Sequence, residues 1–130
     1  MTTELTIRVP NRVGQLAAIS GALGDAGVNI ATLSGSALGS KGVIHVVVAD
    51  KDATRARRAL KAAKLRVTSD RKVIEVRLAD KPGSLARLAK RLAKARVSVD
   101  SAYMLGTGKN STTFALGVKD ARKAKRALGR

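Results

Sequence analysis

Cysteine, histidine and aromatic residues are scarce in this chain. There is no Cys and no Trp, and His, Tyr and Phe occur once each. Without Cys there can be no disulfide framework, no thiol nucleophile and no thiolate zinc site. With His45 as the single His, neither a His-based acid–base pair nor a His-rich metal site can form. We therefore expect a protein that is not an enzyme and that holds no metal and no cofactor.

Long apolar runs are also lacking. The longest unbroken runs have four residues, such as Val46 to Ala49, whereas a helix that spans a bilayer needs about 20. Residues 1–4 show neither the basic nor the apolar region of a secretory signal. These features predict a soluble, cytoplasmic protein with no membrane contact.

Acidic residues are few, and the resulting charge is uneven. The chain has 26 Lys and Arg against 9 Asp and Glu, which gives a formal net charge of +17. Residues 1–69 hold 10 basic and 4 acidic side chains, whereas residues 70–130 hold 16 and 5. Such an excess raises the question of an anionic partner.

The same unit occurs twice along the chain. Gly14 and Gly83 lie in segments that match at an offset of 69 residues, and Asp52 matches Asp120 at an offset of 68. The difference of one residue falls where a loop can absorb it. The repeat predicts two domains, residues 1–69 and residues 70–130.

Each unit shows the pattern of a βαββαβ fold of the ferredoxin-like type. The first strands alternate, with Leu5 and Ile7 on one face and Thr6 on the other. Glycine-rich loops are predicted at 35–42 and 106–108. The first helices have apolar residues at helical spacing, which predicts buried faces made of Leu16, Ile19, Leu23 and Ala26, and of Leu85, Leu88, Leu92 and Ala95.

The two units are expected to end differently. Leu65 to Val67 predicts a short closing strand for the first unit, whereas the second unit reaches Arg130 directly after its second helix and lacks its last strand. The open edge needs a cover, either a loop or a neighbouring chain. A unit of about 65 residues buries only about 60% of its unfolded surface. We therefore expect the units to pack together and the chain to form a homodimer.

Two short segments in each unit carry a resemblance to a known family. Residues 10–16, Pro-Asn-Arg-Val-Gly-Gln-Leu, followed by Gly-Val-Asn-Ile at 27–30, resemble the first loop and second strand of the ACT domain. Residues 80–85, Asp-Lys-Pro-Gly-Ser-Leu, followed by Val-Ser-Val at 97–99, resemble them as well. The first unit has Val13 where the family usually has Pro. The resemblance implies two α+β modules with antiparallel sheets, of the kind that gives phosphoglycerate dehydrogenase and aspartokinase their feedback control.

The resemblance also implies a regulatory protein that binds an amino acid between paired ACT domains. The ligand usually lies against the first loop of one domain and the start of the second strand of its neighbour. By motif position, Asn11 and Asn29 match the polar pair that holds the ligand in serine-sensing members. The residues implied to bind ligand are Asn11, Arg12, Val13, Gly14, Gln15, Leu16, Val28, Asn29 and Ile30 in the first unit, and Asp80, Lys81, Pro82, Gly83, Ser84, Leu85 and Ser98 in the second.

The chemistry of the first loop suits such a ligand independently of the family. A carboxylate is stabilised by the N–H groups at a helix N-terminus, and Gly14 allows the backbone to approach it closely. An ammonium group needs oxygen acceptors, which Asn11, Asn29 and Asp80 provide. Purely structural interpretations stay open: Asn11 and Asp80 can be helix N-caps, the glycines can serve turns, and Asn29 can be a residue at a strand edge.

The helices differ in the charge of their outer faces. Three of the four present Lys and Arg outward, whereas the first helix has no cation among its non-core residues, which are Ala17, Ala18, Ser20, Gly21, Gly24 and Asp25. An uncharged outer face favours close packing. We expect this helix to lie in a domain–domain or chain–chain interface, the alternative being an alanine-rich face in solvent.

Two other functions remain open. The basic helices permit binding to nucleic acid, because phosphate neutralisation needs no motif; against this, Tyr103 and Phe114 are too few to form a base-stacking surface. Alternatively, the chain is the regulatory subunit of a separate enzyme of amino-acid metabolism and docks through its uncharged helix or its open sheet edge.

Overall fold

The computed structural model describes residues 2–129, which form two compact units that divide between Lys72 and Val73. The first unit contains β1 (Thr2–Pro10), α1 (Gln15–Asp25), β2 (Ile30–Leu38), β3 (Lys41–Ala49) and α2 (Ala53–Ala62). β4 (Val67–Ala79) runs from the first unit into the second. The second unit continues with α3 (Ser84–Lys94), β5 (Val99–Gly108), β6 (Ser111–Val118) and α4 (Ala121–Ala127). The predicted α+β class is confirmed.

The sheet of the first unit has the strand order β2-β3-β1-β4. β1 and β3 pair antiparallel, with Leu5 opposite Val46 and Ile7 opposite Ile44. Because side chains alternate along a strand, these four apolar residues point to one face of the sheet. There they pack beneath the two helices, in a core that includes Ile19, Leu23, Val48, Ala56 and Leu60.

The second unit repeats this arrangement with the strand order β4-β6-β5. Ile74 on β4 faces Leu116 on β6 across an antiparallel pairing. The core beneath α3 and α4 contains Val76, Leu88, Leu92, Val97, Val118, Ala124 and Leu128. Among the described residues no strand follows α4.

The strands are longer than the sequence pattern predicted. The prediction of a loop at 35–42 was wrong in extent, because β2 continues to Leu38. It pairs with β3 residue by residue, from Gly35 opposite Ile44 to Leu38 opposite Lys41. The turn is confined to Gly39 and Ser40, and Gly39 has a φ of 62°, which glycine adopts without strain. Ladder hydrogen bonds need only the backbone, so a stretch of small residues can extend a strand.

β4 also differs from the prediction. The closing strand expected at 65–67 and the separate first strand expected for the second unit are one continuous strand of 13 residues. Leu65 instead terminates the turn after α2, where its N–H donates to the carbonyl of Leu60 at 2.9 Å.

The first apolar residue of each long helix was placed wrongly. Leu16 and Leu85, expected on buried faces, are 55% and 44% exposed. Both lie in the first helical turn, beside the loop, where the sheet no longer covers them. By contrast, Ile19, Leu23, Leu88 and Leu92 are buried as expected.

His45 lies on the face of β3 opposite the core. It pairs with Thr6 across the strands, and its Nδ1 lies 3.0 Å from the Thr6 hydroxyl. Among the described residues, no helix is long and apolar enough to cross a membrane.

Candidate functional site

An open groove of about 440 Å³ lies beside the loop between β1 and α1. We call it the loop groove. Leu33 and Ile44, on β2 and β3, give it an apolar floor, while Asn11, Arg12 and Gln15 give it polar walls. Its remaining lining residues are Val9, Pro10, Leu16, Gly35, Ser36, Ala37 and Gly42. An apolar floor with a few polar groups at the rim is typical of sites for small molecules.

The loop ends in the glycine that caps α1. Gly14 is the N-cap, with a φ of 95°, and no side chain caps the helix. The first hydrogen bond within the helix runs from the N–H of Ala18 to the carbonyl of Gly14 at 2.9 Å. The N–H groups of the first turn are therefore available to an anion, where the helix dipole adds to the attraction.

The second unit starts its helix in the same way, at Gly83, with a φ of 88° and no side-chain cap. The alternative that Asn11 and Asp80 are N-caps is wrong, because both residues precede the N-cap glycines, Gly14 and Gly83, by three positions. Left-handed backbone favours glycine, and this explains why glycine occupies both cap positions.

Asn11 ties the loop to the turn between β2 and β3. Its backbone N–H donates to the carbonyl of Ser40 at 2.8 Å, and its side-chain Nδ2 donates to the carbonyl of Gly39 at 2.9 Å. The amide is thereby oriented, which leaves Oδ1 as the acceptor that can serve a ligand. Asp80 keeps only the backbone part of this link, to the carbonyl of Asn110 at 3.0 Å.

Asn29, the other half of the implied polar pair, lies at the opposite end of the sheet. Ile30, the next residue, pairs with Val48 on β3. Val48 in turn pairs with Thr3, near the start of β1. Asn11 follows the end of β1, so the two Asn residues are separated by the length of that strand, roughly 25 Å at the usual rise. Within one unit the structure does not bring Asn11 and Asn29 together.

The other residues implied to bind ligand have different surroundings. Arg12, Gln15 and Leu16 line the loop groove, and Val13 is fully exposed beside it. Val28 is only 5% exposed, and its N–H closes the end of α1 by donating to the carbonyl of Leu23 at 2.9 Å. Val28 thus belongs to the core.

In the second unit the corresponding loop borders a more basic groove of about 410 Å³. Lys81 and Ser84 line this groove, and its other lining residues are Arg77, Leu78, Ala79, Arg87, Leu88 and Arg91. Pro82, Gly83 and Leu85 are exposed in the loop and first turn. Ser98 lies after the end of α3, and its hydroxyl donates to Oδ1 of Asp100 at 3.4 Å.

Sequence reasoning missed the floor of the loop groove. Leu33, Ser36 and Ile44 come from the hairpin of β2 and β3, part of which was expected to be a loop. The available signal was that Leu33 and Ile44 each stand at an apolar position of an alternating strand pattern. Among residues 2–129 no group of three His, Asp or Glu side chains could hold a metal ion.

Several solved structures resemble this chain over nearly its whole length. The protein BT0572 from Bacteroides thetaiotaomicron has a TM-score of 0.83 at 22% identity, and the match covers 98% of this chain and 85% of that one. The ligand-free regulatory subunit of aspartate kinase from Thermus thermophilus has a TM-score of 0.75 at 17% identity, covering 98% and 90%. The corresponding subunit from Thermus flavus has a TM-score of 0.73 at 15% identity, covering 98% and 90%. At these identities the likeness establishes the fold. No curated protein matches the sequence significantly.

The family assignment comes from the sequence itself. The ACT domain matches residues 3–64 and again residues 72–130, one match for each of the two repeated units. The glycine-capped loops at Gly14 and Gly83 fall at equivalent positions in the two matches. The chain therefore belongs to the ACT domain family, of which it contains two copies in tandem.

Proposed function

We propose that this protein is a regulatory protein that binds an amino acid in the loop groove. The observation that carries the proposal is the combination of a guanidinium, an oriented amide and uncapped helix N–H groups around one apolar floor. Membership of the ACT family and the likeness to a regulatory subunit of aspartate kinase agree with a regulatory rather than a catalytic role.

Each part of an amino acid has a complementary group in the groove. The carboxylate is bound by the Arg12 guanidinium and by the N–H groups of the first turn of α1, since charge-assisted hydrogen bonds are the stronger ones. The ammonium is bound by Oδ1 of Asn11, whose Nδ2 is already engaged by Gly39. The ligand side chain lies over Leu33 and Ile44, which favours small or apolar neutral amino acids over Lys and Arg.

The site is completed by a second copy of the chain. Asn29 is exposed but lies at the far end of the sheet from Asn11. A two-fold axis pairs one surface patch with itself, so an antiparallel arrangement brings the Asn29 of one copy beside the loop groove of the other. The functional form is accordingly a homodimer with two equivalent sites.

The first experiment is a thermal-shift screen of the twenty amino acids. A ligand present at 100 times its Kd stabilises the protein by about 2.7 kcal/mol, which is readily measured as an increase in Tm. Titration calorimetry of the best ligand then gives the Kd. An absence of any shift across the twenty would overturn the proposal.

Two variants of the same chemistry test the carboxylate contact. Arg12→Gln removes the guanidinium from the loop groove, whereas Arg58→Gln makes the same change at an exposed position on α2. We expect Arg12→Gln to weaken binding by about 10-fold or more and Arg58→Gln to leave the Kd unchanged. Equal affinity in the two variants would place the carboxylate elsewhere.

A mixing experiment tests whether two copies build the site. The Asn11→Ala and Asn29→Ala homodimers each have both sites broken. In a mixed dimer, however, the loop of one chain meets the intact Asn29 of the other, which restores one site. Recovery of binding on mixing, after subunit exchange, supports a site shared between copies. Mixing without recovery would contradict it.

A regulatory subunit of a separate enzyme is the second candidate. It is favoured by the exposed, nearly uncharged outer face of α1 and by a fold that covers 90% of the Thermus thermophilus aspartate kinase regulatory subunit. A chain that is monomeric in solution, with this face free, favours the enzyme subunit. A stable homodimer favours the free-standing sensor.

A further inference from the structure

α3 and α4 of the second unit carry many positive charges. Residues 84–97 and 121–129 contain no Asp or Glu. Their nine cations are Arg87, Lys90, Arg91, Lys94, Arg96, Arg122, Lys123, Lys125 and Arg126, and all except the half-buried Lys123 are exposed. We call this set the cationic layer.

The two helices present these cations on one surface. Leu88 on α3 and Ala124 on α4 belong to the same buried cluster above the sheet. On the outer side, Nη2 of Arg91 donates to the carbonyl of Ala127 at 2.9 Å, which holds α3 against the end of α4. The outer faces of α3 and α4 are therefore continuous.

The cationic layer lacks the ion pairs that partly neutralise the first unit. In the first unit, carboxylates pair with Arg55, Arg57, Arg71 and Lys72. Across residues 2–129, no salt bridge involves a member of the cationic layer. Like charges held close together on a folded surface repel one another, so a multivalent anion that spans both helices is attracted to it.

The composition of the surface indicates which anion. Interfaces between proteins are centred on buried aromatic or apolar side chains, whereas the exposed residues between these cations are mainly alanines, such as Ala86, Ala89 and Ala93. Single-stranded nucleic acid is bound by stacking on aromatic side chains. Tyr103 is only 7% exposed and Phe114 is half-buried, so the described surface offers no stacking platform.

We propose that the cationic layer binds the phosphate backbone of double-helical nucleic acid without regard to sequence. A duplex carries about one negative charge per 1.7 Å of its axis. α3, at 11 residues, is about 16 Å long at the usual helical rise. The two helices side by side therefore reach several phosphates at once. The inference is independent of the amino-acid site, because it uses no residue of the loop groove.

Fluorescence anisotropy with a labelled 20-base-pair DNA duplex of mixed sequence tests the proposal. For four to six phosphate contacts, the logarithm of the association constant falls with the logarithm of salt concentration with a slope of about −4 to −5. Failure of the wild-type protein to bind at about 50 mM KCl, where such contacts are strong, would overturn the proposal.

Two variants with equal loss of charge test the location. The first carries Lys90→Gln, Lys94→Gln, Arg122→Gln and Lys125→Gln; the second carries Lys41→Gln, Lys51→Gln, Arg58→Gln and Lys61→Gln in the first unit. All eight side chains are exposed, so thermal unfolding should be unchanged in both. The first variant should bind at least about 30-fold more weakly and have a salt slope smaller by about 3.6, whereas the second should stay within about 3-fold of wild type. Equal losses would mean that net charge alone drives binding, against the proposal.

Should the fourfold variant unfold, the pair Lys90→Gln and Lys94→Gln, with Lys51→Gln and Arg58→Gln as its control, gives the same comparison at half the charge.

Competitors test the choice of partner. Binding of the labelled duplex should resist poly-glutamate, phosphatidylserine-containing vesicles and a single-stranded oligonucleotide at equal charge concentration. If any of these competitors displaces the labelled duplex as effectively as unlabelled duplex does, the assignment to double-helical nucleic acid is overturned.

Discussion

Arg71 on β4 donates from Nε to Oε1 of Glu4 on β1 at 2.9 Å, and the Glu4 side chain is only 1% exposed. The pair joins the start of the first unit to its last strand, across 67 positions of sequence. A buried carboxylate is costly unless a partner compensates its charge. The register between the first and last strands of this unit is therefore coupled to an electrostatic contact as well as to apolar packing.

Removing Arg71 should destabilise the protein strongly. Arg71→Leu deprives the buried carboxylate of this partner, and such losses cost about 3–5 kcal/mol. The matched control is Arg57→Leu, because Arg57 pairs with the exposed Asp70 at 3.5 Å and exposed pairs are worth about 0.2–1 kcal/mol. Urea unfolding gives both free energies of unfolding. Adding Glu4→Leu to Arg71→Leu should recover part of the loss; a double variant no more stable than Arg71→Leu would contradict the electrostatic explanation.

The sequence predicted the elements that depend on alternation and helical spacing. Leu5 and Ile7, at period two, and Ile19 and Leu23, at helical spacing, are all fully buried. Leu16 fits the same spacing as Ile19 and yet is exposed. Spacing defines a direction around the helix axis, and it does not reveal where along the axis the sheet ends. The spacing of apolar residues therefore could not show whether the first turn of the helix is buried or exposed.

Of the candidate site, only the loop between β1 and α1 could be predicted from the sequence. The motif around Asn11 and Gly14 marks a contiguous segment, so sequence alone could indicate it. The groove floor at Leu33 and Ile44 depends on hairpin pairing, which is a long-range property. The link from Asn11 to Gly39 is long-range as well, and no local pattern encodes it.

Two glycine substitutions in the first unit should change stability in opposite directions. Neither Gly14 nor Gly21 has an atom within 4 Å of the position that a Cβ would take, so backbone conformation decides both outcomes. Gly14 has a φ of 95°, and Gly14→Ala should cost about 1–2 kcal/mol. Gly21 is inside α1, where Gly21→Ala should gain about 0.5–1 kcal/mol.

Chemical denaturation at a protein concentration low enough to keep the chain monomeric measures both effects. The opposite signs are the test, since both changes add one methyl group at an exposed position. Destabilisation of the monomer by Gly21→Ala would contradict the prediction, because helix propensity then would not decide the outcome.

Capping distinguishes the two shorter helices. Oδ1 of Asp120 accepts from the N–H of Lys123 at 3.0 Å and caps α4, whereas Asp52 makes no such bond at the start of α2. Asp120→Ala should therefore cost about 1 kcal/mol, and Asp120→Asn should retain most of that stability. Thermal unfolding followed by circular dichroism measures the difference. If Asn and Ala cost the same, the hydrogen bond at this cap contributes nothing.

The outer face of α1 is the surface on which the proposed homodimer depends. Its exposed residues are Leu16, Ala17, Ala18, Ser20, Gly21, Gly24 and Asp25. The one hydroxyl among them, on Ser20, donates back to the carbonyl of Leu16 at 2.8 Å, so it needs no partner outside the helix. Small side chains permit two helices to approach closely, and a face without cations avoids the repulsion that the rest of this chain would impose on a second copy.

Ala17→Arg should therefore convert a dimer into a monomer. The guanidinium would be placed against its own symmetry mate, and a buried charge without a partner is strongly unfavourable. Ala62→Arg makes the same change at an exposed position on α2 and should leave the dimer intact, although it adds the same charge. Light scattering coupled to size exclusion gives the mass of each variant. A dimer that persists in Ala17→Arg would move the interface to another face, whereas loss of the dimer together with loss of amino-acid binding would link the interface to the site that Asn29 completes.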